Sequence, residues 1–526
     1  MRIGFIALLL TGLAAILSVA QARTGWDPSS CWLASEDHRQ VDCGHMRVRE
    51  NRNSATGREI SFPVVIMRSD AERRRDDPVV ILGAGGPGIG LDMDQAAVDE
   101  YWDYYDWIFD SGRDLILLDP RGVGGADPAL TCPEITEHMP MLWGSRLTPE
   151  LENQVSAEAY ARCRERWVKQ GVALEHYNTR ATAGDVAELR DALKIDQWNL
   201  YGTSYAATLA MTIMRDYPKG VRSVILDSVQ APDVRFFKGY AENVQGAFQT
   251  LFAACAANRE CAADFPNLKA VLERVVRRLN DSPAVVSVAH PLTLEPFPLI
   301  VNGDTLIVIL RSALYDENNF ADLPMLIHAL DRGSLDLLAP YARSSFQDDL
   351  DPDYADGIHL SVSCREEIPF NDMAEVVRDA RALPMVAGAV RGVVDYYRHA
   401  CSAWGVPPAA ADELAPVRSA IPALVLGGEW DPVIPVKWAS DAAAQLDTAH
   451  VFAFPATGHD VMAADYCAVI LSEQFLDEPQ TTPDDGCMDE SARIAFNTLP
   501  FRAKPKDGRT GSETEKTPLA LRRDRR

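Results

Sequence analysis

The sequence predicts an α/β fold: a mostly parallel central sheet wrapped by helices, with a mainly helical insertion. Three observations carry this. Short apolar strands alternate with helical stretches, the rhythm of a parallel sheet. One strand, Trp198 to Tyr201, runs through Gly202-Thr203-Ser204-Tyr205-Ala206 straight into an apolar helical run, Thr208 to Met214. The strand–helix rhythm then breaks between about Arg235 and Ala415 and resumes afterwards.

Taken in order, residues 1–22 read as a secretory signal: Arg2 is the charged start, Ile3 to Val19 is apolar, and Ala20-Gln21-Ala22 fits a small-residue cleavage site. No other stretch is long and apolar enough to span a bilayer. Residues 23–234 form the first part of the core. Met46 to Val48 and Ile60 to Arg68 pair as strands around a turn at Asn53 to Gly57. Val79 to Leu82 and Leu115 to Leu118 are short buried strands, and Val221 to Leu226 follows the serine segment. Thr182 to Leu193 is a helix whose Ala187, Leu189, Ala192 and Leu193 share a face. Residues 235–415 are the insertion, with helices over Ala247 to Ala257, Leu268 to Leu279, Leu323 to Leu330 and Met373 to Ala382. Residues 416–500 complete the core through strands at Ala423 to Leu426 and His450 to Phe454. Residues 501–526 are a disordered tail; from Arg502 it holds nine Lys/Arg against four Asp/Glu.

The 526 residues carry a net charge of −25, which disfavours nucleic acid as a partner because its phosphates would be repelled. Ten cysteines behind a signal peptide predict disulfides and a secreted or periplasmic location. Neighbours in sequence pair as Cys31–Cys43, Cys132–Cys163, Cys255–Cys261, Cys364–Cys401 and Cys467–Cys487, although spacing alone does not fix connectivity. No Cys-x-x-Cys or Cys/His cluster offers a zinc site, and the chemistry below needs no metal or organic cofactor. Oligomeric state has no signature in the sequence.

The serine segment is built like a nucleophile elbow, in which a sharp strand-to-helix turn lifts a hydroxyl off the sheet beside free helical N–H groups. A serine nucleophile needs a base and an orienting acid, in the chain order Ser…Asp…His. Gly428-Glu429-Trp430-Asp431 puts Asp431 after one strand, and Gly458-His459 puts His459 after the next. Singly, an Asp-Pro turn, a loop His and a capping Ser are ordinary; their joint order at strand ends points to catalysis. Asp227, also at a strand end, is the rival acid, and Asp460 adjoins the base. Gly83 to Gly88 follows the Val79 strand, and its glycines let backbone N–H groups approach a developing oxyanion. Gly85 or Gly86 and the Tyr205 N–H are the candidate donors. The aromatic run from Tyr101 to Phe109 either lines an acyl pocket or packs in the core.

Together these segments resemble the α/β-hydrolases of the prolyl iminopeptidase and tripeptidyl aminopeptidase branch, serine peptidase family S33. Gly85-Gly86-Pro87-Gly88, Asp119-Pro120-Arg121-Gly122-Val123-Gly124, Gly202-Thr203-Ser204-Tyr205 and the Asp431 and His459 segments carry the likeness, with Cys364 and Cys401-Ser402-Ala403-Trp404. Ala206 and Ala207 replace the usual double glycine, and Gly125 stands where Ser is common. The resemblance implies an aminopeptidase acting on peptides with a free N-terminus, a helical cap, and acidic residues that hold the substrate ammonium. Glu366 and Glu367 are the candidates for that role. A carboxylesterase or lipase-like hydrolase with the same triad is the alternative, and a binding protein without turnover is a more distant one.

Overall fold

The computed structural model describes residues 24–29, 31–34, 39–54, 56–145, 147, 149–490 and 494–497. The signal segment and the basic tail expected from the sequence lie outside these residues.

Nine strands form one sheet: β1 (Gly25–Pro28), β2 (Val41–Arg49), β3 (Glu59–Met67), β4 (Val79–Ile81), β5 (Leu115–Leu118), β6 (Trp198–Thr203), β7 (Val221–Asp227), then β10 (Ala423–Gly428) and β11 (Ala449–Phe454). Their spatial order is β1-β2-β3-β5-β4-β6-β7-β10-β11. The first three strands run antiparallel to their neighbours, and from β5 through β11 every pairing is parallel. The parallel strands are continuous apolar runs, as strands covered by helices on both faces must be. β10 reads Ala-Leu-Val-Leu-Gly-Gly and is buried throughout. The strand-to-loop ends of β4, β6, β7, β10 and β11 therefore gather along one edge, where α/β sheets place their working groups.

Between β7 and β10 the chain leaves the sheet. It forms helices that include Tyr240–Ala257, Leu268–Asp281, Gly303–Ala313, Leu323–Asp331, Met373–Ala380 and Ala387–Trp404. It also forms a hairpin, β8 (Ala284–Ala289) with β9 (Pro296–Val301), that the mainly helical reading did not anticipate. Phe248, Leu272, Val275, Leu306, Phe320 and Leu330 anchor a separate core there. That core reaches the main fold at Trp430, which stacks on Phe320 with ring centroids 4.6 Å apart. The five disulfides join the cysteines as the sequence order paired them. Among the described residues no helix is long and apolar enough to cross a membrane.

The Asp119-Pro120-Arg121-Gly122 run proves to be scaffolding. Arg121 is buried and donates from Nε and Nη2 to the two carboxylate oxygens of Asp185 at 2.6 and 2.7 Å. Asp119 accepts from the Leu91 and Gly125 N–H groups. Of the aromatic run, Tyr101, Trp102, Tyr105, Trp107 and Phe109 are buried in the core beneath the sheet.

Candidate active site

β6 ends at Thr203, and Ser204 opens the helix Tyr205–Asp216 with φ 58° and ψ −122°, a backbone conformation that costs energy in a residue with a Cβ. Two restraints hold it. The Ser204 N–H donates to the Asp227 carbonyl at 2.9 Å. Helix and strand also approach so closely that a Cβ on Gly202 would run into the Ala206 carbonyl. Ala206 and Ala207 are themselves buried, so their methyls fit where the resembled family has glycines. Tyr205 supplies the first helical N–H, a group without an intrahelical acceptor. Gly85, at φ +115°, lies alongside: a Cβ there would come within 3.9 Å of the Ser204 Cβ. Ser204, the Tyr205 N–H and the Gly85–Gly86 loop thus share one corner.

Asp431 follows β10, and His459 follows β11. The His459 Nδ1 lies 2.7 Å from Asp431 Oδ2. A carboxylate only accepts, so the ring proton sits on Nδ1 and leaves Nε2 as a free acceptor. Asp431 Oδ1 accepts the Val433 and Ile434 N–H groups, both at 2.8 Å. The two loops interlock: Trp430 N–H donates to the Thr457 carbonyl at 3.0 Å, and a Cβ on Gly428 would strike the Gly458 carbonyl. Burial works against a charged His459, but the Asp431 carboxylate, with Asp460 and Asp227 adding to it, outweighs burial and holds the imidazole above its ordinary value.

The rival acid has other work. Asp227 is wholly buried and accepts Val461 N–H and Met462 N–H, at 3.1 and 2.9 Å, from the segment just past the base. Sequence reasoning missed Tyr315. Its carbonyl accepts the His459 N–H at 3.0 Å, and its ring meets the imidazole edge-on at 5.2 Å. It belongs to the insertion and carries no motif that would have marked it.

Glu366 and Glu367 lie in a turn of π-helix, Ser363–Glu367, pinned by Cys364–Cys401. Glu366 takes the Thr179 N–H at 2.8 Å and the Thr179 hydroxyl at 2.5 Å; that hydroxyl lies 2.8 Å from the Tyr205 phenol. Glu367 accepts from Gln230 Nε2 at 2.7 Å. Burial pushes its carboxyl up to about 8 against the help of Gln230. The nearby Glu366 charge raises it further, and Arg235 offsets this only weakly.

The sheet order, the strained serine turn and the loops after β10 and β11 define the α/β-hydrolase fold. Residues 78–286 match the alpha/beta hydrolase fold family, and residues 389–487 match the TAP-like protein family. Among curated relatives, serine protease Hip1 of Mycobacterium tuberculosis is 26% identical over 370 residues, 66% of this chain and 69% of that protein. Tripeptidyl aminopeptidase of Streptomyces lividans is 27% identical over 225 residues, 42% of this chain and 41% of that protein. The putative hydrolase YuaR of Escherichia coli is 24% identical over 273 residues, 49% and 51% of the two chains. The chain therefore has the α/β-hydrolase fold and is similar to serine-protease and aminopeptidase proteins.

Proposed function

We propose that this protein is an exported serine aminopeptidase of the S33 type that hydrolyses peptide bonds near a free N-terminus. The observation that carries this reading is the 2.7 Å Asp431–His459 contact in loops after adjacent parallel strands, at the same edge of the sheet as the strained Ser204 turn. Ser204 Oγ attacks the scissile carbonyl carbon while its proton passes to His459 Nε2; the Asp431 carboxylate stabilises the imidazolium. The Tyr205 N–H and a Gly85 or Gly86 N–H receive the oxyanion. His459 then protonates the departing amine, leaving an ester on Ser204. Water enters, gives its proton to His459, and releases the peptide acid.

Glu367 supports the aminopeptidase reading over the esterase reading. It is an acid whose main partner is a neutral amide, so a substrate ammonium would supply a counter-charge. Glu366, with both oxygens engaged by Thr179, backs it and positions the Tyr205 ring. Five disulfides support export.

The test is a matched panel of aminoacyl- and tripeptidyl-coumarin amides, their N-acetylated forms and a short-chain ester, with Ser204→Ala as control. Cleavage of free-amine amides alone is expected, and product lengths give the number of residues released. Ester turnover with silent amides moves the reading to a carboxylesterase. Full activity in Ser204→Ala removes the serine mechanism.

A further inference from the structure

Directly behind the candidate base lies a second pair of carboxyls that the mechanism above does not use. Asp460 follows His459 and is held at φ 68°, ψ 79°, left-handed backbone that a non-glycine residue adopts only under restraint. Its N–H donates to the Ser228 hydroxyl at 3.3 Å, and its Oδ1 accepts the Ala463 N–H at 3.3 Å. The Ser228 hydroxyl that accepts from Asp460 itself donates to Asp227, and the two carboxyls lie close enough to act on each other. Asp227 already accepts from the Val461 and Met462 N–H groups and from the Ser228 hydroxyl at 3.1 Å. The groups facing the pair are His459 on its own loop, Tyr201 on β6, and Tyr104 and Tyr105 at the end of the helix Gln95–Tyr104.

Two buried carboxylates this close repel each other unless one carries a proton, which then bridges them. Asp227, with three donors aimed at it, is the better anion, and Asp460 is the better acid. We propose that Asp460 and Asp227 share one proton, and that this carboxyl–carboxylate bond is a positioning device: it ties the loop carrying His459 to the end of β7, whose Asp227 carbonyl also restrains Ser204.

The inference rests on the serine-hydrolase reading and adds a dependence which that reading lacks. Burial, and then the Asp227 charge, push the Asp460 carboxyl well above the usual carboxylate range. When the shared proton leaves, attraction becomes repulsion one residue from the imidazole, and the ring loses its placement. Asn at position 460 can still donate to Asp227 and accept from Ala463, but it cannot titrate.

The experiment follows the pH dependence of fluorophosphonate labelling of the mature protein, a probe without the titrating amine of a peptide substrate. Wild type, Asp460→Asn and Asp460→Ala are compared, with His459→Ala and Ser204→Ala as controls. Wild-type labelling should fall on the alkaline side, where the shared proton is lost. Asp460→Asn should lose that fall and label about tenfold or more faster than Asp460→Ala at neutral pH, since only the alanine removes the tie. An unchanged alkaline fall in Asp460→Asn, or equal labelling by the two variants across the range, overturns the shared-proton tie. If His459→Ala labels like wild type, the serine-hydrolase reading itself has failed.

Discussion

Replacing Asp431 by asparagine separates the two acids that the sequence left in competition. In the folded protein Asp431 Oδ2 faces His459 Nδ1 at 2.7 Å, and Oδ1 is fixed by the Val433 and Ile434 N–H groups. Those two N–H groups hold the asparagine oxygen where Oδ1 was, so its amide N–H₂ faces the imidazole. The ring must then accept at Nδ1 and carry its proton on Nε2, the wrong tautomer for taking the serine proton. Losing a unit charge about 4 Å from the developing imidazolium costs about 4 kcal/mol at an effective dielectric of about 20. Tautomer inversion adds about 1–2 kcal/mol, for which one net hydrogen bond is the guide. The sum, about 5–6 kcal/mol, is a loss of about 10⁴ in kcat. The assay is steady-state turnover of the best coumarin amide, with fluorophosphonate labelling as a substrate-independent check and circular dichroism to confirm folding. Labelling should fall in parallel with turnover. If Asp431→Asn stays within about tenfold of wild type while a folded Asp227→Asn loses activity, the orienting acid is Asp227 and the reasoning is wrong.

Three further outcomes are expected. Gly202→Ala should destabilise by about 1–3 kcal/mol, because its methyl meets the Ala206 backbone carbonyl rather than a movable side chain; thermal denaturation and labelling should both drop. Removing Cys364–Cys401 with paired serines opens a link 37 residues long, worth about 4 kcal/mol by chain entropy, and is read as a lower Tm. The acid limb of kcat/KM should lie above the ordinary histidine value of 6.5, because Asp431 holds the His459 pKa up against burial, and Asp431→Asn should move that limb to lower pH. The linkage has a definite sign: a raised folded value makes His459 stabilising below about pH 6.5, and this is lost as pH rises through the folded value.

The sheet was legible because its parallel strands are short apolar runs punctuated by glycine, and each run announces the loop that follows. The segments of Ser204, Asp431 and His459 stood out for the same reason: close backbone approach demands small residues, and small residues leave a pattern. The β8–β9 hairpin left none. Pro296 and Pro298 interrupt β9, and the exposed but apolar Val285 hides the alternation of buried Val286 and Val288 in β8. The sequence favoured Asp431 over Asp227 by chain order and family likeness alone, since both follow strands. Only three-dimensional placement reveals that one meets the imidazole and the other meets backbone N–H groups past it. Glu366 shared the ammonium-holding role with Glu367 in the sequence reading, and its engagement with Thr179, 187 positions away, could not be read from local pattern.

The contact between His459 N–H and the Tyr315 carbonyl has a bearing on how such proteins are recombined. The inserted segment is not a hat set on a finished machine. It supplies an acceptor for the backbone of the base residue, and through Phe320 it supplies a stacking surface for Trp430 beside the acid. A chimera that exchanged residues between β7 and β10 for those of a relative would alter the footing of both loops. Grafts made to change substrate preference would therefore change turnover too, unless Tyr315 and Phe320 travel with the recipient.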